Sequence, residues 1–373
     1  MPLKILEVSP YSSGICGVFT RVFTEAKVFK ESGHDVMVFS SNGIKGAKGK
    51  AAAEDEIDGI KIKRFPYIKL GGESFMWWDY HKEAIEYAPD IIIVHNYRHL
   101  HATQALKIRG VLNETKVIMV THAPFVEDNK TRSKLSGIIV NFYDKFIGPK
   151  NINKFDAVVN ICNWEVTHLN NIGLDESKRV KIPNVIPNDY FNSVPGIGIN
   201  RSVLFLGRVA PIKNIEFILD LATIMPYYNF SIVGPVEESY MKELSKQYPT
   251  MPKNVTFYPP VYNLEQKIKV YDAHKFYILS STREAMPQSL MEAMARGRIV
   301  ISTDTDGARE IIFNGHNGFI IKTPEEAKET ILQQEISPLS SSNIIDSVES
   351  TNSISVLSDK YERLFKKLLG EKK

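Results

Sequence analysis

The sequence has little cysteine, no long apolar run and almost no net charge, and each shortage excludes a class of protein. Two cysteines, Cys16 and Cys162, among 373 residues cannot form the disulfide framework of a small secreted domain, which favours a reducing, cytoplasmic compartment. The apolar run 91–94 is far shorter than the roughly 20 residues of a membrane-spanning helix. A strand-like segment begins by residue 4, so no secretory signal is expected. A net charge of +3 with 43% hydrophobic residues excludes a disordered chain and does not indicate nucleic-acid binding.

The first half of the chain alternates strand and helix patterns. Residues 4–9 read as a buried strand, a loop with Gly14 and Gly17 follows, a helix spans about 18–32, and 36–40 is the next strand. Further strands are predicted at 60–65, 90–94, 116–121 and 157–161. This alternation predicts a parallel sheet with helices on both faces. No Gly-x-Gly-x-x-Gly follows the first strand, which argues against a Rossmann dehydrogenase.

The same pattern restarts near residue 202. A strand at 202–207 precedes a helix near 214–224, and later strands are predicted at 229–233, 255–258, 276–280, 299–303 and 318–321. Proline and asparagine at 182–188 interrupt regular structure, and Ser and Asn at 336–354 predict a surface loop. We therefore expect an α/β protein with two doubly wound, Rossmann-like domains facing across a cleft. The expected divisions are 1–185, a linker 186–200, 201–354, and a C-terminal helix within 355–373.

One segment of the second half predicts an anion site. Pro287 near the start and Gly297 just past the end delimit a helix after strand 276–280. The first amides of that helix are free donors at the positive end of its dipole; they belong to Gln288, Ser289 and Leu290. Glu284 and Glu292 would lie about 12 Å apart if all eight intervening steps were helical. That exceeds the roughly 5–9.5 Å of a hydrolase acid/base pair, so the two glutamates are expected to serve different subsites.

Cations and a histidine follow two other strands. Arg208 and Lys213 lie in the loop after strand 202–207, where a fork-shaped guanidinium and a point charge suit a diphosphate. His122 follows strand 116–121 in the first half. Since ligands of doubly wound sheets bind beyond the carboxyl ends of the strands, all three are expected to face the cleft.

These motifs together resemble the family 4 glycosyltransferases of the GT-B fold. The resemblance covers about 1–325, is strongest in 202–320, and rests on the order and spacing of several motifs. They are the Arg-x4-Lys loop 207–213, the Glu-x7-Glu segment 284–292, Gly33-His34, and the stretches 182–185, 303–310 and 314–319. The resemblance implies an enzyme that moves a hexose-type sugar, with retention, from a nucleoside diphosphate to a glycan or lipid-linked acceptor hydroxyl. The first domain would then lie on the acceptor side, the second would bind the donor, and the last helix would cross back onto the first.

The resemblance also implies site residues. Arg208 and Lys213 would bind the diphosphate, Glu284 the sugar and Glu292 the ribose, with His122 beside the reacting carbon. The implied catalytic residues are His122, Glu284, Arg208 and Lys213. The implied donor-binding residues are Gly14, Gly17, Gly207, Arg208, Lys213, Val261, Tyr262, Glu284, Met286, Gln288, Ser289, Leu290 and Glu292. No metal and no cofactor besides the sugar nucleotide, such as a UDP- or GDP-sugar, is expected.

Three residues depart from the family pattern, and two other motifs point elsewhere. Cys16, Pro260 and Asp306 stand where the family commonly has glycine, which we interpret as a difference in donor specificity. Asp304-Thr305-Asp306 spells a metal-binding Asp-x-Asp, but its place in the pattern favours a loop, and no metal is assigned. The three histidines with metal-compatible helical spacing are more readily residues of the first-domain rim; they are His95, His99 and His101.

The aromatic run 75–78 has two equally supported interpretations, a packed core or an exposed surface. The second interpretation pairs it with a basic stretch and predicts peripheral docking on an anionic membrane. The basic residues are Lys130, Arg132, Lys134, Lys145, Lys150 and Lys154.

Two other functions stay open at this point. An epimerase or phosphorylase of the same architecture would also bind the diphosphate of a sugar nucleotide. A non-catalytic nucleotide-sugar-binding protein is the third possibility, although four charged site residues argue against it.

Overall fold

The computed structural model describes residues 2–14, 16–69, 73–124, 142–191 and 199–370. The chain forms two compact units, Met1–Pro183 with Leu357–Lys373, and Asn184–Val356. Each unit is built on a sheet whose strands are nearly all parallel, which confirms the predicted α/β class. Of the expected linker 186–200, residues 192–198 lie outside the described residues.

The first unit contains an eight-stranded sheet and a two-stranded hairpin. Its strands are β1 Lys4–Tyr11, β2 Asp35–Ser41, β3 Glu54–Ile57, β4 Ile60–Phe65, β5 Tyr67–Lys69, β6 Met76–Trp78, β7 Ile91–His95, β8 Lys116–Val120, β9 Ala157–Asn160 and β10 Arg179–Lys181. The large sheet has the order β10-β9-β8-β7-β1-β2-β4-β3, and β3 alone of its strands is antiparallel to its neighbour. The strand order reverses between β1 and β7, so the loops after these two strands flank a crevice.

Helices cover this sheet. Those described are Gly17–Glu31, His81–Tyr87, Leu100–Val111, Gly148–Ile152 and Glu165–Asn171, with a π-helical turn at Tyr143–Ile147. Helices cover both faces of β1 and β7, so these strands consist largely of apolar residues. Leu6, Val8, Ile92 and Val94 belong to the core between sheet and helices.

The second unit contains a six-stranded parallel sheet. Its strands are β11 Ile199–Leu206, β12 Asn229–Val233, β13 Val255–Tyr258, β14 His274–Leu279, β15 Ile299–Thr303 and β16 Phe319–Ile321. Their order is β13-β12-β11-β14-β15-β16, so the direction of winding reverses between β11 and β14. Doubly wound sheets bind ligands at that reversal, beyond the carboxyl ends of the strands. The helices of this unit are Ile215–Ile224, Glu238–Gln247, Leu264–Asp272, Gln288–Ala295, Asp306–Ile311, Pro324–Ile336 and Ser341–Asn352.

The predicted surface loop at 336–354 is wrong, because most of it is the helix Ser341–Asn352. Ser340 caps this helix by accepting a hydrogen bond from the Asn343 amide. Ile344 and Val348, four residues apart, bury one face. One of the serines that predicted a loop thus provides the helix cap.

The last helix, Ile354–Leu369, packs its apolar face on the first unit. Tyr361 meets Phe29 edge to face at 5.0 Å between ring centroids, and Phe365 packs on the same ring. Glu362 lies 3.0 Å from His34 Nε2, and Lys360 Nζ donates to the Lys181 carbonyl. The first unit is therefore assembled from both ends of the sequence.

Candidate active site

The loop after β11 lies against the loop after β12. The Gly207 amide donates to the Val233 carbonyl at 3.0 Å. A Cβ on Gly234, whose φ is +153°, would lie 1.9 Å from the Gly207 carbonyl oxygen, so glycine is required at 234. This close approach fixes the direction in which the chain leaves the sheet edge toward Arg208.

Both predicted cations of this loop are paired with carboxylates. Arg208 Nη1 donates to Glu237 at 2.6 Å, and its side chain is 58% exposed. Lys213 ends the 3-10 turn Pro211–Lys213, and its Nζ lies 2.5 Å from Glu284 Oε1. Since a guanidinium has five N–H donors and an ammonium three, each cation keeps donors for an anionic ligand.

Glu284, in the loop after β14, is held from three sides. Ser281 Oγ donates to Glu284 Oε1 at 2.6 Å, beside the Lys213 ammonium. The Gly307 amide donates to the Glu284 carbonyl at 3.1 Å, and a Cβ at 307 would lie 2.7 Å from that oxygen. A side chain at 307 would displace this loop. No role is assigned to Ser281 from the sequence, although the short Ser-x-x-Glu spacing brings its hydroxyl to the carboxylate.

The helix Gln288–Ala295 begins directly after Pro287. Its first intrahelical bond within the described residues runs from the Met291 amide to the Pro287 carbonyl, which leaves the three preceding amides free as predicted. The Ser289 hydroxyl accepts from Tyr277 at 2.7 Å, and the Gln288 side chain donates to the Val185 carbonyl at 2.9 Å. Met286 and Leu290 are buried beneath the helix start. These contacts fix the N-terminus of the helix, where the free amides lie at the positive end of the helix dipole.

Glu292 is buried, and its two oxygens have separate partners. Lys267 Nζ lies 2.7 Å from Oε1, and the Tyr271 hydroxyl donates to Oε2 at 2.8 Å. Lys267 and Tyr271 share one face of the helix Leu264–Asp272 because they are four residues apart. Neither is assigned from the sequence, because no helix is predicted between strands 255–258 and 276–280; the four-residue spacing would be a signal only on such a helix.

The residues after β13 complete this edge of the second unit. Pro260, Val261 and Tyr262 follow the strand, and the Tyr262 side chain is 67% exposed. The carboxyl ends of β11, β13 and β14 therefore carry the predicted donor-binding residues of this unit, and two of these strands flank the reversal.

The Asp-x-Asp segment is the start of a helix. Thr305 caps Asp306–Ile311 by accepting from the Ala308 amide. Arg309 donates to Asp304 at 2.7 Å and to Asp306 at 3.2 Å. Both carboxylates thus have a cationic partner.

In the first unit, the loop after β1 passes close to a neighbouring segment. Gly14 has a φ of +83°, and a Cβ there would lie 2.2 Å from the Lys45 carbonyl oxygen. Gly17 begins the helix Gly17–Glu31, and nothing lies within 4 Å of a Cβ placed on it. Cys16, the helix cap, has an ordinary extended φ of −135°, so this departure from glycine creates no backbone strain.

His122 follows β8 in the left-handed region, with a φ of +58°. Glu165 holds this turn, because its Oε2 accepts from the Ala123 amide at 3.0 Å and from the Thr121 hydroxyl. Burial raises the pKa of Glu165. A left-handed residue other than glycine costs about 1–2 kcal/mol, which these hydrogen bonds offset.

His122 is linked to a buried charged cluster that sequence analysis missed. Its Nε2 lies 2.8 Å from His95 Nδ1, and His95 Nε2 lies 2.7 Å from Glu7 Oε2. Glu25 and Arg21, one helical turn apart, pair beside them. A signal was present in the sequence, since Glu7 is a charge within an otherwise apolar strand.

The expectation that the three histidines lie on a rim is wrong for His95 and His101, which are fully buried. His95 ends β7, and His99 precedes the helix Leu100–Val111, so the three do not share one helix face. Burial lowers the pKa of His99 to about 4 and that of His101 to about 3.

The aromatic run 75–78 alternates between the two expected environments. Met76 and Trp78 are buried, and Trp78 stacks on Phe65 at 5.7 Å between centroids. Phe75 and Trp77 are exposed. Of the six basic residues paired with this run, Lys130, Arg132 and Lys134 lie outside the described residues.

Two family descriptions match most of the chain between them. The Glycosyltransferase Family 4 description matches residues 15–190, and Glycosyl transferases group 1 matches 197–348. The chain belongs to the family 4 glycosyltransferases of the GT-B fold.

Relatives by sequence include an uncharacterized glycosyltransferase of Methanocaldococcus jannaschii, 27% identical over 58% of this chain and 58% of that protein. A phosphatidyl-myo-inositol mannosyltransferase of Mycobacterium leprae is 24% identical over 61% of this chain and 60% of its own. The matched part of the chain thus spans less than two thirds of these curated relatives.

Solved structures share the fold across nearly the whole chain. A sucrose-phosphate synthase from Thermosynechococcus elongatus superposes with a TM-score of 0.78 at 14% identity, covering 98% of this chain and 99% of that one. Anabaena HepE in complex with UDP and glucose gives 0.71 at 16% identity over 97% and 99%. Within the described residues, no helix is both long and apolar enough to span a bilayer.

Proposed function

We propose that this glycosyltransferase moves a hexose-type sugar from a nucleoside diphosphate to an acceptor hydroxyl, with retention of configuration. The observation that carries the proposal is the Lys213–Glu284 pair at the carboxyl edge of β11 and β14, followed within four residues by the free amides of helix Gln288–Ala295. Breaking the bond to the anomeric carbon leaves negative charge on the departing diphosphate. Fixed cations and helix amides aimed at that charge lower the barrier.

The contacts support one role for each site residue. Arg208 is exposed enough to reach a phosphate, and the Lys213 ammonium would bridge the diphosphate and Glu284. Glu284, held by Ser281, would accept hydrogen bonds from sugar hydroxyls. Glu292, held by Lys267 and Tyr271, would accept from the ribose hydroxyls.

In this mechanism the acceptor attacks the face that the diphosphate leaves, and a β-phosphate oxygen takes the acceptor proton. No separate general base is required. We propose that no metal takes part, since the two cations and the helix amides would stabilise the leaving charge. Val261 and Tyr262 would border the base, and Gly14 and Gly17 would let the backbone approach the phosphate.

The acceptor is proposed to be a glycan or a lipid-linked glycan, at the cytoplasmic face of a membrane. Two relatives are named for lipid acceptors, the mannosyltransferase above and an alpha-galactosylglucosyldiacylglycerol synthase of Streptococcus pneumoniae. The exposed Phe75 and Trp77 and the exposed Phe142 and Phe146 beside Lys145 support contact with an anionic bilayer. If the protein does not cosediment with anionic vesicles at low salt, the proposed membrane contact is rejected.

The experiment is a thermal-shift screen against UDP-, GDP- and ADP-sugars, followed by transfer assays with the stabilising donor. The proposal expects one donor to stabilise the protein and to be consumed with an acceptor. Isomerised sugar from donor alone, or cleavage that depends on phosphate, would indicate the epimerase or phosphorylase. Tight donor binding with neither hydrolysis nor transfer would indicate the non-catalytic nucleotide-sugar-binding protein.

A further inference from the structure

A buried row of side chains in the first unit ends at His122. It runs from Glu7 on β1 through His95 at the end of β7, with nitrogen–oxygen and nitrogen–nitrogen distances of 2.7 and 2.8 Å. Glu7 and His95 are fully buried, so water does not replace either hydrogen bond. One proton lies in each hydrogen bond, and the proton position on one ring therefore fixes that on the next.

A second carboxyl group, that of Glu25, lies beside the start of the row and is paired with the Arg21 guanidinium. Glu25 Oε1 accepts from Arg21 Nε at 2.8 Å and from the Tyr361 hydroxyl at 2.7 Å. Burial raises the pKa of Glu25, but the two donors on its Oε1 oppose this shift and favour the ionised form, whose charge the Arg21 guanidinium balances. Arg21 is thus already paired with Glu25, and no second cation balances a charge on the Glu7 carboxyl group.

The Glu7 carboxyl group is therefore neutral. Burial and the Glu25 charge raise its pKa well above the ordinary value, and burial beside His122 and Arg21 lowers the pKa of His95. Among the described residues, Glu7 Oε1 has no hydrogen-bond partner, whereas Oε2 faces His95 Nε2. A buried hydroxyl without an acceptor costs about 1–3 kcal/mol, so the proton lies on Oε2.

The remaining protons follow in sequence. His95 Nε2 accepts from Glu7, so the His95 proton lies on Nδ1 and points at His122 Nε2. His122 accepts there, and burial together with Arg21 lowers its pKa, so its single proton lies on Nδ1. That atom forms no hydrogen bond with any described residue.

We propose that Glu7 and His95 are positioning residues that hold His122 in its neutral Nδ1–H tautomer. His122 then offers a hydrogen-bond donor to a sugar hydroxyl oxygen and cannot act as a base through that nitrogen. The contact with a sugar hydroxyl rests on the proposed function, whereas the tautomer of His122 is a property of the protein alone.

A metal ion is the competing occupant of this cluster. Glu7, Glu25 and His95 each offer a ligand atom, and these atoms lie within 4.8 Å of one another. The Arg21 guanidinium on Glu25 opposes a divalent cation in the same place, and all three residues are sealed from solvent. We therefore favour a row of hydrogen-bonded side chains without a metal ion, and the test below includes addition of Zn²⁺.

The direct test is ¹⁵N NMR of the ligand-free, histidine-labelled protein at neutral pH, with the His122 signals assigned by their loss in His122→Asn. The inference expects the Nδ1–H pattern for His122. It also expects Glu7→Gln to keep this pattern, since the amide N–H₂ replaces the carboxyl O–H as donor to His95. An Nε2–H pattern in the wild type, or displacement of the His95 signals by Zn²⁺, would overturn it.

A second measurement connects the row to activity. His95→Leu removes the donor to His122 and is expected to lower kcat about 10-fold or more, while the affinity for the nucleoside diphosphate stays within about 2-fold. His101→Gln is the matched control, because this fully buried histidine contacts the row only at the His95 carbonyl oxygen, which the glutamine amide can still reach. Equal kcat in both variants would contradict the role of His95, and if His95→Leu does not fold, the wild-type spectrum decides. A protein with the expected tautomer and no transferase activity would leave the row intact and reject the proposed function.

Discussion

Lys213 and Glu284 lie 71 positions apart in sequence, and their side chains meet at 2.5 Å. Each follows a different strand, β11 and β14, and these two strands are neighbours at the reversal of the second sheet. The pair joins the Arg-x4-Lys and Glu-x7-Glu motifs into one site.

Lys213→Ala is expected to lower transfer about 10²-fold or more, because it removes a cation from the leaving diphosphate. The measurement is kcat with a saturating sugar nucleotide. Lys269→Ala is the matched control, since Lys269 is an exposed lysine paired with Glu265 on a neighbouring helix. Unchanged turnover in Lys213→Ala would reject the leaving-group role.

Glu292→Gln is expected to weaken binding of nucleoside diphosphate about 10-fold, with a smaller effect on kcat, because the ribose contact exists before and during the reaction. Isothermal titration with UDP or GDP measures this loss. The change also leaves Lys267 without its carboxylate and is expected to cost about 1–3 kcal/mol of stability. Loss of stability without loss of affinity would show a purely structural role.

Gly307→Ala is expected to lower the free energy of unfolding by about 1–3 kcal/mol and to reduce transfer, since the new methyl group meets the Glu284 and Ala285 carbonyl oxygens. Denaturant unfolding and kcat are the two measurements. Gly17→Ala is the control for stability, because nothing lies within 4 Å of a Cβ there. A fully stable Gly307→Ala variant would contradict the close approach.

Acid destabilisation is expected from buried histidines. Since the pKa of His101 is about 3 in the folded protein and near 6.5 when unfolded, the unfolded state binds more protons between these values. The free energy of unfolding therefore falls as pH decreases from about 6.5 toward 3, by up to about 1.4 kcal/mol per pH unit for this group.

Denaturant midpoints measured at several pH values test this slope. His101→Gln is expected to reduce the slope, and His316→Gln, at an exposed histidine, is expected to leave it unchanged. Equal slopes in all three proteins would show that His101 does not titrate as its burial requires.

The sequence was sufficient for the strands and motifs that depend on local patterns. Continuous apolar runs such as 91–94 predicted the buried strands, and Pro287 with Gly297 predicted the bounds of helix Gln288–Ala295. The partners of those motifs depend on which strands become neighbours. Glu237 and Lys267 follow other strands than the residues they contact, so they could not be assigned before the tertiary contacts were known, whereas Ser281 lies three residues before Glu284 in the same loop.

Two errors had physical causes of the same kind. The segment 336–354 is polar, but Ser340 as a cap and two buried apolar residues make most of it a helix. The three histidines have helical spacing, but β7 ends at His95 before the helix begins. In both cases composition or spacing gave no information on where an element starts.

Tyr361 and its hydrogen bond to Glu25 have a consequence for biosynthesis. The first sheet is translated long before Tyr361, the residue that donates to Glu25 of its buried ion pair. The whole second unit is translated in between. Until the last helix emerges, the nascent first unit exposes Phe29, and Glu25 lacks the second of its two donors, the Tyr361 hydroxyl. The first unit therefore completes its folding only after the second unit has been translated, and a stop codon shortly before position 361 would damage the half of the molecule that was translated first.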